Sequence, residues 1–151
     1  MQTSKQRETF MFVEPLKTRI ITQEKILFDA LADSVVAPAA SGYLGVLPGH
    51  APMMAALGDG VLKIRKGKDV VYYAVFGGFL QVKDNQLIIL ADKASAADKL
   101  SLAAVRDELA SAEAALDAGV AEKNKRNALN RDINAARIKI KAANLAAGIQ
   151  D

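Results

Sequence analysis

One histidine, His50, is the only imidazole in this 151-residue chain, and there is no cysteine. Thiolate–zinc sites, His–His metal sites and disulfides are therefore excluded. The chemistry left to His50 is proton transfer to a nucleophile. Ser41, His50 and Asp59 could be assembled into a Ser–His–Asp arrangement, but their spacing gives it no support. A histidine that fills a turn or touches a partner is the commoner case, and it would make such a contact pH-sensitive. No catalytic residue and no metal ligand is expected.

Two glycine clusters, Gly58-Asp59-Gly60 and Gly77-Gly78, invite a phosphate-cradle reading. Such cradles open a helix whose amides point at the anion, whereas strand patterns follow both clusters here. Turn and β-bulge glycines are the expectation. Seven cations, Lys123, Lys125, Arg126, Arg131, Arg137, Lys139 and Lys141, crowd the C-terminal region and suggest an anionic partner. No aromatic residue lies in residues 80–151, so no base-stacking platform accompanies them. A solvated helix face, an acidic protein partner and a nucleic acid remain open, in that order.

The densest unusual composition surrounds His50. Residues Gly42-Tyr43-Leu44-Gly45-Val46-Leu47-Pro48-Gly49-His50-Ala51-Pro52 hold three glycines, two prolines and the histidine. Pro48 and Pro52 each fix φ and remove an amide donor, so no regular strand runs through them. A stiff, shaped loop between β stretches is expected.

The elements that must position these residues change character near residue 95. Before it, short runs rich in Val, Ile, Phe and Tyr read as strands: Leu16–Thr22, Lys25–Leu31, Ser34–Pro38, Gly60–Lys66, Val70–Phe76, Phe79–Val82 and Leu87–Ala91. Lys66–Asp69 and Lys83–Gln86 read as hairpin turns. An antiparallel sandwich or flattened barrel follows from many short strands with close turns. Beyond residue 95, Leu102, Val105, Leu109, Ala112 and Leu116 recur at helical spacing, and Leu129, Ile133, Ala136, Ile140, Ala143 and Ala147 repeat it. Ser95-Ala96-Ala97-Asp98 is a candidate capping box and Ala118-Gly119 a candidate stop. Two helices joined so closely fold back as an antiparallel hairpin, marginally stable by itself because its small alanine positions allow close approach but bury little area.

Bulk properties agree with a globular chain. It is 51% hydrophobic and 25% charged, and no run approaches a membrane span. The first nine residues lack the apolar core of a secretory signal. The net charge of +3 is uneven: residues 95–120 carry two Lys/Arg against five Asp/Glu, and residues 121–151 carry seven against three. The helices thus attract along their seam, and the last thirty residues present the basic surplus. The residues alone point to an interaction protein of α+β class.

The Gly42–Pro52 loop closely resembles the signature loop of the epsilon subunit of F-type ATP synthases. The likeness continues through Gly60–Gly67, Ala74–Val82 and Leu87–Asp92, with Val35–Pro38 upstream, and covers about residues 16–94. It implies an N-terminal antiparallel β-sandwich of about ten strands, residues 16–94, followed by a C-terminal two-helix hairpin, residues 95–151. Residues 1–15 stand as an extension.

The resemblance also implies a role. Members sit at the foot of the central stalk, bound to the gamma subunit and resting on the c-ring, and perform no chemistry. Gly42, Tyr43, Leu44, Gly45, Pro48, Gly49 and His50 would form the contact surface toward the ring and gamma. The basic face, Lys123 to Lys141, would meet acidic segments of the catalytic alpha and beta subunits and inhibit ATP hydrolysis. A bacterial complex at the cytoplasmic face of the plasma membrane is the expected location. Some members bind ATP through Ile/Leu-Asp-x-x-Arg-Ala; the corresponding Leu100–Val105 lacks both the Asp and the Arg, so no nucleotide and no cofactor is expected.

Overall fold

A computed structural model describes residues 13–149. Seven strands come first: β1 Leu16–Ile21, β2 Ile26–Ala32, β3 Ser34–Ala39, β4 Gly42–Val46, β5 Met53–Lys66, β6 Asp69–Lys83 and β7 Gln86–Ala96. A 3₁₀ turn, Ala97–Lys99, leads to helices α1 Leu102–Asp117 and α2 Lys123–Ala146. The strands hydrogen-bond in the order β2-β1-β7-β6-β5-β3-β4. All pairs are antiparallel except β1 with β7, which is parallel, a departure from the purely antiparallel expectation.

The expected count of about ten strands is corrected to seven, because the three long strands pass through both layers of the sandwich. Pairing of β5 with β6 holds one register from Met53↔Val82 to Lys66↔Asp69 but lapses between Leu57↔Gly78 and Asp59↔Phe76. Pairing of β6 with β7 lapses at the same level, between Phe76↔Lys93 and Gly78↔Ala91. Gly77 (φ 68°) and Gly78 (φ 125°) make this bend. A Cβ on Gly78 would stand 2.0 Å from the Leu90 carbonyl oxygen, so only glycine fits. These glycines are neither turn nor bulge: the register is the same on both sides of them.

Folded across that bend, the sheet encloses one core containing Leu16, Ile20, Leu62, Ile64, Val75, Leu80, Val82, Leu87 and Ile89. Alternation explains who goes inside: Leu62 and Ile64 face the core, while Val61 joins the opposite face. There Val61, Ala74, Tyr72 and Phe76 receive Ile138, Ala142 and Leu145 of α2. The hairpin is therefore docked on the sandwich. Ala142 is fully buried, a position that the helical repeat through Ala143 did not single out.

The first helix starts later than the candidate capping box suggests. Ser95 and Ala96 end β7, and the N-cap is Ser101, whose Oγ accepts the Ala104 amide at 3.3 Å. Strand pairing of Ser95 with Ala74 overrides the local signal. Gly119, at φ 91°, follows the end of α1 as the stop signal anticipates. Along the seam Val105, Ala112, Ile133 and Ala136 are buried, with the Arg137–Glu113 (3.2 Å) and Lys139–Glu108 (4.0 Å) pairs beside them.

Candidate interaction surface

The glycine–proline stretch is a strand and a tight connection rather than one loop. Gly42–Val46 pairs with β3, residue against residue from Ala39↔Gly42 to Val35↔Val46. Pro38 sits where β3 and β5 stop pairing, between Val36 and Ala39, as a residue without an amide hydrogen should. Leu47–Pro52 then crosses to the start of β5.

Tyr43 is 59% exposed, yet its hydroxyl is anchored, accepting the Val61 amide at 3.3 Å. A Cβ on Gly60 would lie 2.7 Å from Pro38 Cβ and 2.8 Å from the Tyr43 hydroxyl. Gly60 thus makes the space that lets the ring lie against the sheet. Leu44 is half-buried and packs on the core, while Gly42 and Gly45 leave the strand surface open.

The tip of the connection is held from across the fold. Gly49, at φ 82°, donates its amide to Asn85 Oδ1 at 2.9 Å. Asn85 Nδ2 donates to the carbonyls of Glu14 (3.0 Å) and Pro15 (3.2 Å). His50 closes the turn by donating its amide to the Leu47 carbonyl at 3.1 Å, with Pro48 half-buried inside it. The His50 ring places Nδ1 2.7 Å from the Ala51 carbonyl oxygen. A carbonyl only accepts, so Nδ1 carries the hydrogen there. The atom a triad aspartate would orient is thus already engaged, and neither Ser41 nor Asp59 bonds the ring.

Beside this end lies an apolar patch that the sequence did not single out. Phe79 (59% exposed) pairs across strands with Leu90 (51%) and with Ala56, and Met54 (71%) stands next along β5. Strand patterns placed Phe79 and Leu90 correctly in strands; which sheet face stays uncovered depends on where the hairpin docks. Exposed apolar clusters of this kind mark contact surfaces.

The seven C-terminal cations all lie on α2. At 3.6 residues per turn, Lys123, Arg126, Arg137 and Lys141 fall within an arc of roughly 60°. Lys125, Arg131 and Lys139 point elsewhere: Lys125 pairs with Glu122 at 3.6 Å and Lys139 with Glu108. Arg137 is also engaged, through Glu113. Among the described residues no group of three or more His, Asp or Glu side chains is placed to hold a metal ion, and no helix is long and apolar enough to cross a membrane.

Comparison with known proteins gives this geometry its context. Residues 15–97 match the family described as ATP synthase, Delta/Epsilon chain, beta-sandwich domain. The chain is 36% identical over 130 residues to the ATP synthase epsilon chain of Acaryochloris marina, covering 85% of this chain and 94% of that one. It is 43% identical over 103 residues to the ATP synthase epsilon chain of Leptospira borgpetersenii, covering 68% and 81%. The fold is shared with a chain of the Euglena gracilis mitochondrial ATP synthase OSCP/F1/c-ring structure, with TM-score 0.70, 19% identity and 89% and 81% coverage. A chain of the Tetrahymena thermophila mitochondrial ATP synthase central stalk/c-ring structure aligns with TM-score 0.55, 18% identity and 87% and 98% coverage. By its sandwich, its loop and these relatives, the chain belongs to the ATP synthase delta/epsilon-chain family.

Proposed function

We propose that the chain is a non-catalytic central-stalk subunit of a proton-translocating F-type ATP synthase, joining the gamma subunit to the c-ring. The family match over residues 15–97 carries this reading. The physical form of the surface supports it. A rotor contact must transmit torque without yielding, and the Gly42–His50 stretch is pinned by strand pairing, by the Tyr43 hydroxyl and by Asn85. Tyr43 and Leu47 remain exposed on it, and the Met54–Phe79–Leu90 patch offers an apolar area for the gamma subunit.

The docked hairpin is the second part of the proposal. Released from the sandwich, α2 would present Lys123, Arg126, Arg137 and Lys141 to acidic segments of the alpha and beta subunits and slow ATP hydrolysis. Only Val61, Ala74, Ala97 and Ala142 are buried at its seat, and three of these four are alanines that bury little area, which supports release at modest cost. The complex holds the chain at the membrane, at the cytoplasmic face in a bacterial cell.

The test is capture of a gamma subunit by the tagged, folded chain. Co-elution is expected; a folded chain that retains no gamma overturns the reading. Within an assembled complex, deletion of residues 95–151 is expected to raise ATP hydrolysis, and unchanged hydrolysis removes the inhibitory part alone.

A further inference from the structure

The hairpin carries a groove on one side of its seam, with a volume of about 720 Å³. Two stripes form its walls: Ala104, Asp107, Glu108 and Ser111 from α1, and Leu129, Asp132, Ala135 and Lys139 from α2. Both follow helical spacing, so the groove runs along the helices rather than into them. Its floor is small and apolar, with Ala112 and Ala136 at the bottom.

The charges along it are unbalanced. Glu108 pairs with Lys139 across the groove at 4.0 Å, whereas Asp107 and Asp132 have no ion-pair partner among the described residues. Three carboxylates thus face one ammonium, in a chain whose overall charge is +3.

We propose that this groove is a docking site for a basic amphipathic helix of a partner protein, seated as the third helix of a bundle. Two antiparallel helices leave one such groove on each side of their seam, and a third helix laid over a small-residue floor approaches closely enough to bury its apolar stripe. Lysines or arginines flanking that stripe meet Asp107 on one wall and Asp132 on the other. The same carboxylates repel a phosphate-bearing ligand. The inference goes beyond the stalk role and stands apart from the contact surface at the Gly49 end.

The test uses the full chain and a labelled alanine–leucine–lysine amphipathic helical peptide, with a glutamate version as control. Anisotropy should show saturable binding of the lysine peptide that weakens as salt rises, and none of the glutamate peptide. Asp107→Lys with Asp132→Lys should weaken binding at least about tenfold while the helical circular dichroism is retained. Ser111→Trp, which fills the groove without changing charge, should weaken it as well. Equal binding of both peptides, no saturable binding, or a charge-reversed chain that binds as well as the parent overturns the proposal. Concentration-dependent dimerisation that the same reversals abolish would assign the groove to a second copy and also overturn it. None of these outcomes depends on capture of gamma.

Discussion

The Asn85 side-chain carbonyl accepts the Gly49 amide at 2.9 Å, joining the β6–β7 turn to the connection between β4 and β5. The same side chain bonds the carbonyls of Glu14 and Pro15. Thirty-six residues separate the two partners in sequence, yet they fix one end of the sandwich together. Asn85 itself adopts φ 58°, a left-handed backbone that asparagine tolerates better than most residues.

Two substitutions at Asn85 separate its roles. Asn85→Gly keeps the left-handed turn and loses three solvent-exposed hydrogen bonds, so a cost of about 1–2 kcal/mol is expected by urea denaturation. Asn85→Ala adds roughly 1 kcal/mol of backbone strain. Faster amide exchange at Gly49 in both variants checks that the tether, and not the core, has been lost. Stabilities equal to the parent would remove the tether from the account.

Ala142 is fully buried in one apolar cluster with Val61, Ala74 and Ala97. Ala142→Leu is expected to cost about 1–3 kcal/mol of docking free energy. Hydrogen exchange should then quicken in α2 while the amides of β5 and β6 around Leu62 and Val75 stay protected. Loss of protection in both places would mean that hairpin and sandwich unfold as one unit.

Helix capping gives a direct comparison of two serines. Ser101→Ala removes the side-chain acceptor of the Ala104 amide and should destabilise α1 by about 1 kcal/mol. Ser95→Ala, in the strand, should change the thermal midpoint far less. The reverse ranking would restore the earlier capping box.

The Tyr73 phenol has its pKa raised above the ordinary 10.0, chiefly by burial and secondarily by the Asp98 carboxylate. Its hydroxyl donates to the Leu27 carbonyl at 3.3 Å. Because the folded value exceeds the unfolded one, this contribution is complete below pH 10 and is lost as pH climbs through the folded value. Phenolate absorbance should therefore show a late ionisation step for Tyr73, above the ordinary phenol value. In Tyr73→Phe the late step should vanish, and the alkaline loss of stability should be smaller.

The strand-then-helix division was legible because periodicity is local. Val61-Leu62-Lys63-Ile64-Arg65 alternates in any context, and Val105, Leu109 and Ala112 share a helix face whatever they meet. The family likeness was legible too, because its glycines and prolines are contiguous. The capping box and the glycine bulges were misread because Ser95 and Gly78 answer to partners in other strands, Ala74 and Ala91, that no local window contains.

The sequence by itself determined the strand-then-helix order and the sign of charge on each helix, since side-chain period and composition are local properties. Only the tertiary structure decided how the elements meet. The bend at Gly77–Gly78 makes seven strands into two layers, and Asn85 reaches back to Gly49. Docking of Ala142 covers one sheet face and leaves Phe79 and Leu90 open, and the hairpin turns Asp107 and Asp132 toward a common groove. Those outcomes rest on contacts between residues far apart in the chain, whose formation depends on every intervening turn.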